Sequence, residues 1–467
     1  MNILNVISND VKAKEWQVKN TIELLSNGNT IPFISRYRKE ATGNLSEEEV
    51  RKISELYQYY TELEKRKESV IKAIEEQGKL TEELKKKILN SMKLSEVEDL
   101  YLPYKKRKKT KADIAIENGL EPLAQKLFLQ EITDIGKEAE KFINDNVTSI
   151  NEVLEGVKYI IGQYFAHNEQ IRKTLRNDLL KHGKIESIKK KKFIEEKTKY
   201  DMYHEFSQEI SKIPDYRVLS INRGEKDGVL SVKLIIEDKY IEKLYKNYLT
   251  KFPENNKIIK EGLDYGFKNM LFPSISNEVR NILTQRAEEK SIELFSKNLK
   301  ELLLTPPLKD KRVLAIDPGY RTGCKVVALD ESGKFLENNT IYPVPPQNDF
   351  ENAEKIVLNM IKKYNLNLIV IGNGTASRET QKFIVDTVKK HNLNLKYIFA
   401  DESGTVRGAI SIGRRIQDPL AEFVKIDPKS LGVGQYQHDM NQKLLKEKLE
   451  NTVEHVVNLV GVNLNTA

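Results

Sequence analysis

VLAIDPGYRTG, residues 313–323, is the stretch that decides the fold of the C-terminal third of this 467-residue chain. Its apolar run predicts a strand that is buried on both faces. Asp317 follows this run directly, at the position where an α/β sheet presents ligand-binding groups, and a glycine turn then leads to a second predicted strand at 324–329. The question is whether this carboxylate takes part in metal chemistry or only shapes a nucleic-acid-binding surface.

The residues around this stretch alternate between strand and helix patterns. They predict strands at 312–317, 324–329, 334–342, 367–372 and 395–400, and helices at 350–364 and 377–391. Three consecutive strands followed by helix–strand–helix–strand is the element order of the RNase H-like fold. We therefore predict an α/β domain of this class at residues 310–436.

Residues 1–309 show a mostly helical pattern, so the whole chain is expected to be multidomain and mainly α. Ser46 and Glu49 form a capping box that starts a helix, and Thr81 can cap the next one. This pattern predicts a helical N-terminal scaffold.

One β excursion is expected within this helical region. The pattern predicts a small hairpin, with strands at 217–222 and 229–236 joined by a glycine-containing turn. Two consecutive prolines at 306–307 then mark the boundary to the α/β domain. A further helical region begins at 437 and ends mid-pattern at Ala467, which reads as a truncation.

The composition excludes several classes of protein. The chain has 77 Lys and Arg against 69 Asp and Glu, and this modest basic excess favours polyanionic partners, although a lysine-rich background would give the same total. The single cysteine, Cys324, excludes an internal disulfide, and the six histidines lack metal-ligand spacing. No apolar run is long enough for a membrane span, and no P-loop is present, so we expect a cytoplasmic protein that is not an ATPase.

Three acids are candidates for a catalytic metal site: Asp317, Glu402 and Asp418. Two-metal cleavage of a phosphodiester needs carboxylates that bridge paired Mg²⁺ ions, and the central strand ends of an RNase H-like sheet can bring acids together. No cofactor is expected, except Mg²⁺ if these acids form a nuclease site. Each acid also has a structural alternative, because Asp317 could form its turn, Glu402 could be a surface acid, and Asp418 before Pro419 could cap a helix.

Two basic segments are candidates for contacts with nucleic-acid phosphates. The first contains Lys105, Lys106, Arg107, Lys108, Lys109 and Lys111, and either nucleic acid or an acidic patch of the protein could balance its charge. The second contains Arg36, Arg38 and Lys39 around Tyr37, whose ring could stack on a base. Arg321, in the turn after Asp317, is added to these predicted binding residues, whereas Lys189–Lys192 is interpreted as a solvated face.

The chain resembles the bacterial Tex family of transcription accessory proteins over essentially its whole length. The resemblance lies in residues 31–43, 98–105, 223–228, 317–319, 372–379, 417–422, 432–439 and 460–467. It implies a helical region with helix-turn-helix-like elements, a YqgF domain similar to Holliday-junction resolvases, and following helix-hairpin-helix and OB-type RNA-binding parts. The YqgF acids carry over onto Asp317, Glu402 and Asp418, and the resemblance implies that they are vestigial.

Two departures from the family pattern bear on these expectations. The junction at 404–405 is short, so either residues have been deleted there or a loop is missing from the numbering. The OB-type domain is missing after Ala467, so only weak binding is expected of this chain.

Three functional hypotheses follow. The first is a scaffold that binds RNA or DNA without sequence specificity in transcription. The second is a metal-dependent, structure-specific nuclease, and the third is a protein-interaction hub on RNA polymerase or the ribosome.

Overall fold

The computed structural model describes residues 2–105, 108–129, 131–249, 252–400 and 408–461. The chain divides into two compact units, residues 1–287 and 288–467. Its first helices are α1 Ile3–Val11, α2 Glu15–Ser26, α3 Ile31–Tyr37, α4 Lys39–Thr42, α5 Glu47–Glu75, α6 Glu82–Asn90, α7 Leu94–Tyr101, α8 Lys111–Glu117, α9 Glu121–Phe128, α10 Ile135–Ala139, α11 Ile150–His167, α12 Glu169–His182, α13 Asp215–Lys226, α14 Asp238–Tyr245, α15 Pro253–Gly266 and α16 Phe272–Leu303. The prediction of a mainly α, multidomain chain is confirmed.

The longest helix of the N-terminal part, α5, starts where the sequence predicts. The hydroxyl of Ser46 accepts a hydrogen bond from the Glu49 amide at 3.2 Å, and the Glu49 carboxylate accepts one from the Ser46 amide at 2.7 Å. The two backbone amides are donors that a helix start leaves without an intrahelical partner, and the two side chains satisfy them. Val50, Ile53 and Ile74 then lie on the buried face of the helix. Its 29 residues span about 44 Å.

A buried ion network joins α7 to α12 and α16. The carboxylate of Asp99 binds Arg172 and Arg176 at 2.5 Å each, and all three side chains are almost completely buried. Arg176 also donates a hydrogen bond to Glu278 at 3.0 Å. Burial would lower the pKa of Arg176, but hydrogen bonds to Glu278 and Asp99 more than offset this and raise it. The network therefore provides carboxylate partners for two buried arginines inside a helical core.

The predicted hairpin at 217–236 is wrong. Residues 215–226 form α13, and the strand that follows, β3 Leu230–Ile235, pairs antiparallel with β1 Lys184–Lys189, which in turn pairs with β2 Phe206–Glu209. Val218, Leu219 and Ile221 do not show the strict alternation of a strand, because two of them are adjacent. All three are buried on one side of α13.

The second compact unit contains a mixed sheet with helices on both faces. Within the described residues its strands are β4 Val313–Asp317, β5 Cys324–Leu329, β6 Phe335–Ile341, β7 Leu368–Gly372 and β8 Lys396–Ala400. The helices after residue 303 are α17 Phe350–Tyr364, α18 Ser377–Lys390, α19 Gly408–Gln417, α20 Pro419–Phe423 and α21 Gln442–Val460. Every strand and helix predicted between 312 and 400 is present to within a residue or two.

The strand order of this sheet is β6-β5-β4-β7-β8. β4 runs parallel to β7 and β7 parallel to β8, whereas β5 is antiparallel to β4 and to β6. Leu314 and Ile316 of β4 face one apolar core with α17 and α18, and Val313 and Ala315 face a second core with α19. This is the predicted RNase H-like arrangement. The carboxyl end of β4 lies at the edge of the sheet where the parallel strands β4, β7 and β8 end. Nowhere in the described parts of the chain is a helix both long and apolar enough to cross a bilayer.

Candidate nucleic-acid interface and the acidic sheet edge

Asp317 lies at the carboxyl end of β4, half-buried, where the sequence places it. Its carboxylate lies against Gly408, the first residue of α19, so closely that a Cβ on Gly408 would overlap one carboxylate oxygen. The positive end of a helix dipole favours a carboxylate at this position. Asp317 is thus packed against the start of a helix, and any side chain at position 408 would require the Asp317 carboxylate to move.

The structure does not bring Asp418 to Asp317. Helix α19 starts beside Asp317 and runs back along β4. Two contacts show this direction: Gly413 packs against Ala315, and the Gln417 side chain donates to the Lys311 carbonyl at 2.7 Å. Lys311 precedes β4, so the end of α19 lies at the opposite edge of the sheet. Ten helical residues correspond to about 15 Å.

This separation excludes a metal site shared by Asp317 and Asp418, because the two ions of such sites lie only about 3.5–4 Å apart. Asp418 instead caps α20, where its side chain accepts a hydrogen bond from the Ala421 amide at 3.2 Å and Pro419 occupies the first helical position. The structural alternative for Asp418 is confirmed, and the prediction that the acids converge is wrong for this pair.

Glu402 and the short junction at 404–405 lie outside the described residues. In the parts of the chain that the structure does describe, no three His, Cys, Asp or Glu side chains come together in a way that could hold a metal ion. Asp317 and Asp418 therefore do not fit a shared Mg²⁺ site.

The turn after β4 carries polar groups at the same edge as Asp317. The Tyr320 hydroxyl donates to Glu379 in the first turn of α18 at 2.9 Å, and this carboxylate raises the pKa of Tyr320. Arg321 is exposed beside it. Lys325 of β5, the cross-strand partner of Asp317, is exposed as well, so the edge presents at least two cations beside the two carboxylates.

The cluster at the end of α3 is the clearest basic surface in the N-terminal unit. Arg36, Arg38 and Lys39 are exposed, and within the described residues none of them forms an ion pair. Tyr37 is 59% exposed and its ring centroid lies 5.3 Å from that of Phe33, while the Arg38 guanidinium lies 5.2 Å from the Phe33 centroid. These cations are free to contact phosphates.

The basic segment 105–111 is only partly free. Lys109 pairs with Glu117 at 2.7 Å. Lys111 lies over the ring of Tyr159 and donates to its hydroxyl at 3.1 Å, and this hydrogen bond raises the pKa of Lys111. Lys105 and Lys108 are exposed, and Lys106 and Arg107 lie outside the described residues. An acidic partner thus balances one lysine of the segment, Lys109, while Lys105 and Lys108 face solvent, and contact with nucleic acid stays a prediction.

In the second lysine run, Lys189–Lys192, only part of the run is solvated. Lys189 is buried and pairs with Asp201 at 2.6 Å, which lowers the pKa of Asp201 to about 2. Residues 190–192 are exposed, as the sequence predicts. The run is therefore one structural ion pair followed by three surface charges.

Sequence reasoning missed Trp16. This residue, the only tryptophan of the chain, is 47% exposed, and its ring lies against Gly43, just past α4. Gly43 has a φ of 65°, and a Cβ there would lie 2.7 Å from the indole. Twenty-six residues lie between the two positions, so no local pattern could have shown that Trp16 packs beside the end of α4, the helix that Lys39 begins.

The strand order, the helices on both sheet faces and the acid at the end of β4 define the class: a chain with a resolvase-like, RNase H-like domain joined to a helical region. Family models identify it further. The Tex-like protein N-terminal domain matches residues 1–75, the Tex central region-like model matches 132–295, and the Tex protein YqgF-like domain matches 311–406. The chain belongs to the Tex family.

Individual relatives agree with this assignment. Protein YdcI of Bacillus subtilis is 43% identical over 99% of the chain and 68% of its own length, and the transcriptional accessory protein Tex of Neisseria gonorrhoeae is 37% identical over 100% and 65%. The human S1 RNA-binding domain-containing protein 1 is 34% identical over 99% of the chain and 50% of its own length. The chain thus spans between half and about two thirds of these relatives. The gonococcal alignment covers 495 positions, so that relative has residues for which this chain has no counterpart.

Proposed function

We propose that this chain is a nucleic-acid-binding scaffold of the transcription machinery that contacts phosphates without reading sequence. The observation that carries the proposal is the exposed cluster of Arg36, Arg38 and Lys39, which has no acidic partner in the part of the chain that the structure describes. Side chains of this kind position a protein on a nucleic-acid backbone but carry no sequence information. The names of the relatives, a transcriptional accessory protein and an S1 RNA-binding-domain protein, support the same role.

The proposal can be tested by fluorescence anisotropy. Two unrelated 12-nucleotide RNAs and the corresponding DNAs are titrated at low salt. The expected dissociation constants are on the order of 1–100 μM and agree within about threefold between sequences, because non-specific binding is set by phosphate contacts. Failure to bind any of the four oligonucleotides contradicts the proposal, and a preference of a hundredfold for one sequence contradicts the claim of non-specific contacts.

Metal-dependent cleavage is the weaker candidate, because Asp418 lies at the far end of α19 from Asp317 and caps another helix. Incubation with Mg²⁺ or Mn²⁺ and branched DNA tests this. We expect no cleavage by the wild-type chain. Cleavage that is abolished by Asp317→Asn would establish the nuclease and contradict our assignment.

We propose further that the scaffold acts in the cytoplasm and meets RNA polymerase or the ribosome through bound nucleic acid. Co-purification of either partner should then disappear when the extract is first treated with nuclease. A partner retained after this treatment would favour a protein-interaction hub instead.

A further inference from the structure

Three aromatic rings lie on α3 or against the end of α4, two helices whose cations form no ion pair within the described residues. Phe33 and Tyr37 are neighbours on α3, with ring centroids 5.3 Å apart. Trp16 of α2 packs its indole on Gly43, and the adjacent Gln17 donates to the carbonyls of Thr42 and Gly43 at 3.0 Å each, which fixes α2 against α4. We call Trp16, Phe33, Tyr37, Arg36, Arg38 and Lys39 together the N-terminal aromatic surface.

The two exposed rings of this surface are close enough for one short strand to reach both. Six residues lead from Tyr37 to Gly43, where the indole rests, and since α3 and α4 are separate helices the two Cα atoms lie at most about 20 Å apart. Neighbouring phosphates of one nucleic-acid strand are about 3.4 Å apart along a helix axis. A strand of about six nucleotides therefore covers this distance.

Both outer rings of this surface are accessible to a ligand from solvent. Tyr37 is 59% exposed and Trp16 is 47% exposed, although both are large side chains whose burial would stabilise the fold. Arg38 extends over Phe33 at 5.2 Å, so its charge is held at the level of the aromatic rings. The exposed acids Glu15 and Glu40 flank the surface but form no ion pair with its cations within the described residues.

We infer that the N-terminal aromatic surface is a stacking site for single-stranded nucleic acid, with Trp16 and Tyr37 as the base-stacking residues. This inference rests on the proposed function and specifies its ligand. Every base has a flat face that can stack on an aromatic ring, so such a site binds nucleic acid of any base sequence. Arg36, Arg38 and Lys39 contact the flanking phosphates. A duplex keeps its base faces stacked inside and cannot use the rings.

The fluorescence of Trp16, the only tryptophan, provides a direct test. We expect a 12-nucleotide poly(U) RNA to quench it with the same midpoint as the anisotropy of a labelled RNA, and a 12-base-pair duplex to leave it unchanged. Tyr37→Ala should weaken RNA binding about fivefold or more, since a stacked base contributes on the order of 1–3 kcal/mol. Tyr37 is mostly exposed, so this variant should fold normally, and its thermal midpoint checks this.

Matched variants elsewhere in the chain provide the controls. Tyr216 is 61% exposed and also lies next to an arginine, so Tyr216→Ala should bind RNA like the wild type. Replacing Arg36, Arg38 and Lys39 together by glutamine should reduce the salt slope by about 2, at roughly 0.7 per lost contact on a single strand. The same charge change at the exposed residues 190–192 should leave the slope unaltered.

The outcomes separate this inference from the proposed function. RNA that binds without quenching Trp16, or equally well to Tyr37→Ala, shows that another surface holds the strand and overturns the inference alone. Quenching of Trp16 by the duplex to the same extent also overturns it. Absence of any RNA binding by the wild type contradicts both this inference and the proposed function.

Discussion

Replacing Asp99 by asparagine should strongly destabilise the N-terminal unit. Asp99 is 4% exposed and accepts hydrogen bonds from Arg172 and Arg176 at 2.5 Å each. Asparagine has nearly the same shape but no charge, so the variant keeps the packing and removes the central anion. Arg176 retains Glu278, whereas Arg172 loses its carboxylate partner.

The expected cost follows from this difference. Removing one partner of a buried ion pair leaves an uncompensated charge and typically costs about 3–5 kcal/mol. We expect a value of about 3 kcal/mol, because the remaining side-chain oxygen of asparagine can still accept one hydrogen bond. Glu278 is 26% exposed on its side chain, so Glu278→Gln should cost only about 1 kcal/mol.

Urea unfolding followed by Trp16 fluorescence measures this cost, since the only tryptophan lies in the same unit. Glu83→Gln, which removes an exposed ion pair with Lys87, serves as the control and should leave the midpoint unchanged. The double variant Asp99→Leu with Arg172→Met, which removes two opposite charges, should be more stable than Asp99→Asn. A loss below 1 kcal/mol for Asp99→Asn would refute the reasoning.

Further predictions concern single sites. Asp418→Asn should leave stability unchanged and Asp418→Ala should cost about 1 kcal/mol in thermal or urea unfolding, because asparagine caps a helix as well as aspartate does; an equal loss in both would contradict the capping role. Gly162→Ala should destabilise by about 1–3 kcal/mol, since its Cβ would lie 2.8 Å from the Gly262 carbonyl oxygen where α11 crosses α15, and a stable variant would show that the helices can move apart. The pKa of Asp201 is lowered to about 2 by Lys189, so its stabilising contribution is present above about pH 4 and is lost as the pH falls toward 2; Asp201→Asn should flatten this part of the stability curve measured by circular dichroism.

The α/β part of the fold could be predicted closely because its strands are continuous apolar runs. β4 and β7 are buried along nearly their whole length, and the helices between strands have one apolar face each. Runs of this kind are too short for helices, are rich in β-branched residues and are bounded by turn residues, and these features together indicate buried strands. The position of Asp317 at a sheet edge follows directly, since it ends one of these runs.

The helical region was harder to predict, because its short apolar segments are compatible both with the 3.6-residue period of a helix and with the two-residue period of a strand. Residues 217–222 contain enough apolar side chains for a strand, yet tertiary packing makes them a helix, and β1 was missed because it begins and ends with lysine. Lys189 is nonetheless buried, since Asp201 balances its charge. Likewise, nothing local shows that Asp99 and two arginines form an internal network.

The candidate site was predicted in part. The Arg36–Lys39 cluster could be identified from the sequence. Charged side chains are rarely buried unless they are paired, so those of this short helix are expected at the surface. The contribution of Trp16 depends on the packing of α2 against α4. The error over Asp418 has a similar cause, because the direction in which α19 crosses the sheet decides the position of this acid and the sequence does not show it.

The salt dependence of RNA binding tests the central claim most directly. For the wild-type chain and a 12-nucleotide RNA, we predict that the logarithm of the association constant falls linearly with the logarithm of the salt concentration, with a slope of about −2 or steeper from the three cations of the Arg36–Lys39 cluster alone. Binding that is independent of salt would contradict the account, because it would show that phosphate contacts do not hold the nucleic acid.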